Sequence, residues 1–270
     1  MSTTYLVTGV SGSLGWAFLK HLSNDPNNTV IGLVRNKPGT EKRIAEELSD
    51  RKNIQVVEGD ITSYESLKKS VDEVSKITGG SLEYLIANAG LVSRWSGNLP
   101  IDILSETPEK LEENLLDTFR VNVIGQINLF NSFLPLILKG KTKKVITLGT
   151  GLADTNLTAK YNVEVAAPYS ISKAGTNMAV AKYHATYGPR GVLFMSISPG
   201  FVESGHQDGL TEQEIPYVQR MVASFGEYAP HARKFTPEES VDYMLKVVHD
   251  ATIEKYGGAA VSHNGDDQWL

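Results

Sequence analysis

The sequence has no cysteine and no long apolar run, and these two absences narrow its possible functions. Without cysteine, disulfides, thiolate metal sites and a cysteine nucleophile are excluded, and we expect a cytoplasmic protein in a reducing compartment. The most apolar stretch, residues 127–138, is too short to span a bilayer and carries Asn128, Asn131 and Pro135. The formal net charge is −5 and no basic run is present, so we expect no nucleic-acid or anionic-membrane surface.

Short apolar runs rich in β-branched residues alternate along the chain with longer segments of helical period. The pattern predicts strands at residues 5–8, 29–34, 54–58, 82–87, 145–148, 193–197 and 259–262. Helices are predicted between them, at residues 13–22, 41–48, 63–77, 108–138 (one helix or two), 169–187 and 237–249. This alternation predicts an α/β fold with a single doubly wound parallel sheet of about seven strands and helices on both faces.

Two segments break the alternation of strands and helices. Residues 92–107 are polar, and residues 201–235 are rich in glycine, histidine and aromatic side chains around a short predicted helix at 212–225. No linker, repeat or low-complexity tract is present, so we expect a single domain over residues 1–270. Long inserts within a compact domain often form substrate loops, and we interpret both segments in this way.

The turn between the first predicted strand and the first predicted helix is glycine-rich and has the sequence TGVSGSLG from Thr8 to Gly15. Gly9, Gly12 and Gly15 allow the backbone to turn tightly and to approach a phosphate in front of the helix N-terminus. A strand-to-helix turn that needs a positive φ is the structural alternative. The position of this glycine loop at the first β–α junction favours dinucleotide binding and a Rossmann-type sheet.

Further motifs follow in a fixed order after the glycine loop. They are Asn88-Ala89-Gly90 after the fourth strand, Asn122 in Val-Asn-Val, Tyr169 and Lys173 in Tyr-x3-Lys, and Pro199-Gly200 after the sixth strand. This ordered set resembles the short-chain dehydrogenase/reductase family over nearly the whole chain. The opening Tyr-Leu-Val-Thr-Gly and the long gap before Tyr169 are similar to ketoreductases of the norsolorinic-acid reductase type within that family.

The resemblance implies a nicotinamide-dependent carbonyl reductase, or ketoreductase, in which Tyr169 is the acid–base group that protonates the carbonyl oxygen. Tyr169 and Lys173 are four positions apart and share a helix face, so we expect the ammonium to lower the pKa of the phenol. The resemblance also implies that Lys173 holds the nicotinamide ribose and that Asn122 supports a water linking Lys173 to a proton relay. In isolation, Tyr-x3-Lys would instead be a solvent-facing pair.

The family's active-site serine is replaced in this sequence. Counted along the fifth strand, its place falls on Thr150, whose hydroxyl can donate the same hydrogen bond. The segment from Thr150 to Tyr169 is long, so Thr155 and Thr158 are the other candidates for this hydroxyl. No spacing of metal ligands is present, and we expect no metal.

The end of the second strand indicates the cofactor. It carries no acid for the ribose 2′-hydroxyl of NAD, whereas Arg35 can meet a 2′-phosphate bidentately and Lys37 can assist. We therefore expect NADPH/NADP rather than NAD, with a surface arginine as the structural alternative. The resemblance also implies that Asp60 and Ile61 contact the adenine. The structural alternative for Asp60 is that it caps the helix near Ser63. The full set of expected cofactor contacts is Gly9, Ser11, Gly12, Ser13, Leu14, Gly15, Arg35, Asp60, Ile61, Asn88, Ala89, Gly90, Tyr169, Lys173, Pro199, Gly200, Val202 and Ser204.

The expected partners are a small-molecule carbonyl substrate and further copies of the chain. The candidate lining residues suit a bulky ketone or an aromatic substrate, and they are Trp95, Phe201, His206, Tyr217, Met221 and Phe225. The resemblance implies a homodimer or homotetramer that pairs through the helices at 108–138 and 169–187. The candidate contacts, unless they face the sheet, are Leu129, Phe133, Met178 and Tyr183. A redox-dead dinucleotide-binding sensor and a non-reductive reaction on the same scaffold are the alternative functions.

Overall fold

A computed structural model of the chain describes residues 3–203, 205 and 208–270. Its strands are β1 (Thr3–Thr8), β2 (Asn28–Val34), β3 (Ile54–Glu58), β4 (Tyr84–Ala87), β5 (Lys144–Leu148), β6 (Leu193–Ile197) and β7 (Ala260–Val261). They form one sheet in the order β3-β2-β1-β4-β5-β6-β7, in which each neighbouring pair is parallel. The predicted Rossmann-type parallel sheet is therefore confirmed.

The helices lie between the strands, as the alternation predicts. They are α1 (Ser13–Leu22), α2 (Lys37–Glu47), α3 (Tyr64–Thr78), α4 (Ile101–Ser105), α5 (Pro108–Phe119), α6 (Gly125–Ile137), α7 (Thr155–Lys160), α8 (Ala167–Tyr187), α9 (Ile215–Tyr228), α10 (Pro237–Asp250) and α11 (Ile253–Tyr256). Within the described part of the chain, none of these helices has the length and apolarity that crossing a membrane would need.

Several boundaries differ from the predicted ones for local reasons. The predicted helix at 108–138 is α5 and α6 joined by a π-helical turn at Arg120–Ile124. The helix α2 begins four positions before the predicted start at 41, because the side chain of Asn36 caps it by accepting from the Gly39 N–H. The helices α4, α7 and α11 have 5, 6 and 4 residues, too few for a helical period to be detected.

Two apolar cores cover the two faces of the sheet. In β1, Tyr5 and Val7 belong to one core and Leu6 to the other, because successive side chains of a strand point to opposite faces. The first core packs the sheet against α1 and α10, and the second packs it against α3, α6 and α8. With both faces covered, the open edge at the carboxyl ends of the strands is left for the loops.

Three of the four predicted subunit contacts belong to the second core. Leu129 and Phe133 are fully buried, and Tyr183 packs edge-to-face on Phe130 with ring centroids 5.2 Å apart. For these three residues the alternative holds, since the apolar stripe of each helix packs against the sheet. Met178 is 60% exposed and lies on the outer face of α8.

Candidate active site

The glycine loop follows β1 and opens α1, and its geometry requires glycine. Gly9 has a φ of +71°, in the left-handed region, and a Cβ at Gly15 would overlap the Gly9 carbonyl oxygen. Asn88 fixes the loop from the end of β4, since its Nδ2 donates to the Thr8 carbonyl oxygen at 2.8 Å. The N-cap residue of α1 is Gly12, which has no side chain to cover the first N–H groups of the helix. These groups therefore face the cleft and suit an anion such as a dinucleotide phosphate.

A cleft of about 510 Å³ runs along the carboxyl ends of the strands, within the usual size of a cofactor site. The sheet order reverses between β1 and β4, which is where open α/β sheets bind ligands. The predicted cofactor residues that line this cleft are Gly9, Ser11, Gly12, Ser13, Leu14, Gly15, Arg35, Asp60, Ile61, Asn88, Ala89, Gly90, Tyr169, Lys173 and Pro199. Gly200 and Val202 line the adjoining cavity, and Ser204 lies outside the described residues.

The rim of the cleft carries Arg35 directly after β2, with its side chain exposed. Lys37 does not line the cleft, because its ammonium pairs with Glu73 Oε1 at 3.0 Å. Lys37 therefore lies outside the cleft, and its assistance to Arg35 stays a prediction. Asp60 lines the cleft while its Oδ1 accepts from the N–H and hydroxyl of Thr62, at 2.9 and 2.7 Å. The cap of α3 is Ser63, so Asp60 stabilises the turn ahead of this helix and does not cap it.

Tyr169 lies in the first turn of α8, at the border between the cleft and a second cavity, and its side chain lines both. Thr150 follows β5, and its hydroxyl lies close enough to the Tyr169 phenol to lower the pKa of that phenol. The Thr150 Oγ1 also accepts from the Leu152 N–H at 3.2 Å, which orients the hydroxyl. Thr155 and Thr158 line a different groove on the outer side of this segment. Of the three threonines, Thr150 is the one that the fold brings to Tyr169.

Tyr169 is partly buried between the two cavities, and Lys173 is buried beneath the cleft. Burial raises the pKa of Tyr169 to about 12, and the nearby Thr150 hydroxyl offsets only part of this rise. The prediction that Lys173 lowers this pKa is therefore wrong. Lys173 Nζ donates to the Leu148 carbonyl oxygen at 2.7 Å, and burial lowers its own pKa to about 8. Burial thus sets the direction of both pKa shifts, and Tyr169 holds its proton at neutral pH.

Asn122 lies in the π-helical turn and is fully buried. Its Oδ1 accepts from the Leu91 N–H at 2.7 Å, and its Nδ2 donates to the Leu91 carbonyl oxygen and to Ser172 Oγ, both at 2.9 Å. The side chain therefore joins the turn to α8 and to the loop after β4, and it does not line the cleft. A Cβ at Gly90 would meet Asn122 Oδ1 at 3.2 Å and Lys173 Nζ at 3.5 Å, so both side chains approach the same point behind Gly90.

The second cavity has a volume of about 580 Å³ and shares Tyr169 and Pro199 with the cleft. Its walls include three of the predicted substrate-lining residues, Phe201, Met221 and Phe225. Two other predicted lining residues, Trp95 and Tyr217, do not line this cavity, and a cation lies over each ring. Lys110 Nζ lies 4.7 Å from the ring centroid of Trp95, and Arg220 Cζ lies 4.6 Å from that of Tyr217. His206 lies outside the described residues.

Trp269 lines the second cavity and was not anticipated from the sequence. It is 8% exposed, and its indole Nε1–H donates to Asp154 Oδ2 at 2.7 Å. The two residues are 115 positions apart, so no local pattern could have joined them. The one signal that the sequence offered for Trp269 was that a large aromatic residue lies outside every predicted strand and helix.

Similar folds occur among solved structures. The NADPH-bound carbonyl reductase from chicken fatty liver has a TM-score of 0.78 and 23% identity, covering 98% of each chain. The carbonyl reductase Sniffer of D. melanogaster has a TM-score of 0.77 and 19% identity, also covering 98% of each chain. At these identities the likeness concerns the fold alone.

Sequence relatives are much closer. The short chain dehydrogenase virK of Hypocrea virens is 47% identical over 269 residues, covering 99% of each chain. The short-chain dehydrogenase/reductase iacC of Pestalotiopsis fici is 41% identical over 271 residues, covering 99% of this chain and 100% of the relative. The sequence model of the short chain dehydrogenase family matches residues 3–215. The chain therefore belongs to the short-chain dehydrogenase family of NAD(P)-dependent oxidoreductases.

Proposed function

We propose that the protein is an NADPH-dependent carbonyl reductase that acts on a ketone or an aldehyde. The observation that carries the proposal is the position of Tyr169, which borders both the cleft and the second cavity. A proton donor at such a border can reach a substrate in the cavity while the cleft holds a dinucleotide. When bound, NADPH supplies the hydride that reduces the carbonyl carbon.

Tyr169 donates the proton in the proposed reaction. Because burial raises its pKa to about 12, the phenol is protonated at neutral pH and can give its proton to the carbonyl oxygen as charge develops there. The Thr150 hydroxyl, which lies beside the Tyr169 phenol, orients the same oxygen. With a pKa of about 8, Lys173 is mostly protonated at pH 7, and its charge stabilises the phenolate that remains after transfer.

The proposed cofactor contacts divide by the part of the dinucleotide that each region suits. The glycine loop and the α1 N-terminus suit the phosphates, and Asp60 and Ile61 suit the adenine. Lys173 would hold the nicotinamide ribose, and the turn at Pro199 would hold the nicotinamide. Arg35 supports NADPH over NADH, because it is a cation at the rim of the cleft where NAD enzymes carry an acid. The structure of the similar carbonyl reductase from chicken fatty liver has NADPH bound.

The two inserts are the proposed substrate loops of this single domain. Val92 and Asn98 of the first insert line the second cavity, as do Phe201, Met221 and Phe225 of the second. A substrate in this cavity would therefore contact loops that follow β4 and β6 as well as Tyr169. The chemistry and the substrate preference thus reside on separate parts of the chain.

The proposed enzyme forms a dimer or tetramer through the outer faces of α5 and α8. Large apolar side chains are exposed there, with Leu116 61%, Phe119 42% and Met178 60% exposed. Exposed apolar patches of this kind mark contact surfaces. A second copy presents the same patch, so a two-fold axis would pair them.

The test is the oxidation of NADPH by the purified protein with a panel of ketones and aldehydes. Tyr169→Phe should lower turnover roughly a hundredfold or more, the usual cost of losing a positioned general acid, while NADPH binding is retained. Thr150→Ala should cost less, because Tyr169 still contacts the oxygen, and Thr150→Ser should retain or improve the rate.

Thr158→Ala is the matched control, because Thr158 lies on the same segment as Thr150 but lines a different groove. Its turnover should equal that of the parent. Near-parental turnover in Tyr169→Phe would show that Tyr169 is not the proton donor. A parent protein that binds NADPH but reduces no carbonyl would favour a dinucleotide-binding sensor instead.

A further inference from the structure

One wall of the second cavity comes from a part of the sequence that is remote from the motifs. Trp269 is buried there, and two hydrogen bonds fix it. Its indole Nε1–H donates to Asp154 Oδ2 at 2.7 Å, and its main-chain N–H donates to the Tyr228 hydroxyl at 3.0 Å. The side chain and the backbone of Trp269 are therefore each tied to a different element, α7 and α9.

The Trp269 side chain also packs on the residue that follows Thr150. A Cβ at Gly151 would lie 2.5 Å from Trp269 Cβ and 2.8 Å from its Cγ, closer than atoms can approach. The absence of a side chain at Gly151 thus admits Trp269 beside the proposed oxygen-orienting hydroxyl. A ring bound against this wall would lie within reach of the segment that carries Thr150.

Asp154 holds this arrangement together with both of its carboxylate oxygens. Oδ2 accepts from the indole of Trp269, whereas Oδ1 accepts from the Asn156 N–H at 2.7 Å and the Leu157 N–H at 3.3 Å. The second pair of bonds caps α7. A single carboxylate therefore joins Trp269 to the segment between β5 and α8, and it needs two acceptor atoms to do so.

The cavity offers further aromatic surface besides Trp269. Phe201 and Phe225 pack edge-to-face, with ring centroids 5.8 Å apart and planes at 77°, and both line the cavity. Aromatic pairs are stabilised beyond the apolar area that they bury, through the quadrupoles of their rings. A saturated ring of the same size gains only the burial of area.

We propose that Trp269 is a specificity-determining residue, positioned by Asp154, that makes the cavity favour flat aromatic carbonyl compounds over saturated ones of equal size. The choice of carbonyl compounds rests on the proposed reductase function. The preference for an aromatic ring does not, since it follows from the cavity wall alone. The binding of the ring and the reduction of the carbonyl can therefore be tested separately.

The first experiment measures binding without turnover, by calorimetric titration with 2-naphthol and with decahydro-2-naphthol. These probes share one carbon skeleton, and neither has a carbonyl group to reduce. We expect the parent to bind 2-naphthol more tightly, and Trp269→Leu to lower the ratio of the two affinities about two- to tenfold. Trp95→Leu is the matched control, because Trp95 does not line the cavity, and it should leave the ratio unchanged.

The Asp154→Asn variant tests the positioning role. An amide has one acceptor oxygen where the carboxylate uses two, so either the cap of α7 or the bond to the indole is lost. We expect the affinity ratio to fall in the same direction as in Trp269→Leu, and to fall no further when the two substitutions are combined. Additive effects on the ratio would show that Asp154 does not act through Trp269.

The second experiment compares kcat/KM for 2-tetralone and 2-decalone with NADPH. Trp269→Leu should lower the kcat/KM for 2-tetralone relative to that for 2-decalone, through a change in KM more than in kcat. Unchanged ratios in both experiments would overturn the proposal. A protein that reduces neither ketone but keeps a Trp269-dependent preference for 2-naphthol would refute the reductase function and support this inference.

If Trp269→Leu does not fold, as judged by near-UV circular dichroism, Trp269→Phe carries the same comparison. It keeps an aromatic ring and removes the indole N–H. We expect it to retain a preference for 2-naphthol that no longer responds to Asp154→Asn. A preference that still falls with Asp154→Asn in this background would overturn the positioning role.

Discussion

Glu214 is a buried carboxylate that joins the two inserts beside the second cavity, and its side chain is 6% exposed. The Arg94 guanidinium donates to its two oxygens at 2.5 and 3.2 Å, and Asn98 Nδ2 donates to Oε1 at 3.2 Å. The N–H and hydroxyl of Thr211 both donate to Oε2 at 2.8 Å. Burial alone would raise the pKa of Glu214, but these hydrogen bonds outweigh it and lower the pKa to about 2.

We expect Glu214→Gln to destabilise the fold by about 2 kcal/mol at pH 7. A pKa near 2 in the folded chain, against the usual 4.5, corresponds to about 3 kcal/mol in favour of the ionised folded state. Arg94 is half exposed, so solvent screens part of this attraction, and glutamine keeps some of the hydrogen bonds. Because the folded pKa is the lower one, the stabilisation is complete above about pH 4.5 and is lost as the pH falls towards 2.

Urea unfolding of the parent and Glu214→Gln, at pH 7 and at steps down to about pH 3, measures this difference. The difference in free energy of unfolding should shrink as the pH falls, and Glu212→Gln, an exposed neighbour, should match the parent throughout. A difference that stays constant with pH would refute the assignment of the stabilisation to the charge. Because Glu214 joins the two proposed substrate loops, KM for a ketone should rise while NADPH affinity is unchanged.

Three further predictions concern the cofactor, the buried lysine and the subunit contact. Arg35→Asp should narrow or reverse the preference for NADPH over NADH, because a carboxylate repels a 2′-phosphate; equal binding of both cofactors by the parent would contradict this role. Burial lowers the pKa of Lys173 from 10.5 to about 8, so between these two pH values Lys173 is protonated in the unfolded chain but neutral in the folded chain. The stability of the parent relative to Lys173→Met should therefore rise from about pH 8 to about pH 10.5 in urea unfolding, and a flat difference would argue against a buried cation. Met178→Asp should yield a smaller mass in light scattering, since it places a charge on the exposed apolar face; a parent already monomeric at micromolar concentration would exclude the contact.

The fold could be predicted because each strand carries its own signal. The run at 193–197 coincides with β6, in which all five residues are buried, because a strand covered on both faces is largely apolar. The run at 54–58 coincides with β3, an edge strand whose Gln55 and Glu58 are exposed. The π-helical turn at Arg120–Ile124 had no such signal, because it changes the hydrogen-bond partner without changing the apolar pattern. The short helices α4, α7 and α11 were not predicted for a related reason, because a helical period becomes visible only over several turns.

The site could be predicted where its residues belong to one local segment. Gly9 and Gly15 act within a single turn, and Tyr169 and Lys173 share one helix. The pKa of Tyr169 could not be predicted in this way, because the spacing reveals the neighbouring lysine but not the burial of both groups. Burial depends on elements that are far apart in the sequence.

Two of the features that sequence analysis missed are carboxylates that fix a loop. Glu214 binds Arg94, 120 positions away, and Asp154 binds Trp269, 115 positions away. In a parallel sheet the ladder fixes the strand ends, and with the end of β5 the start of the segment that carries Thr150, whereas the loops beyond have no ladder of their own. Polar contacts between loops must therefore set the shape of the second cavity. Substitutions at Glu214 or Asp154 should consequently change which carbonyl compounds bind while leaving the Thr150 hydroxyl beside the Tyr169 phenol.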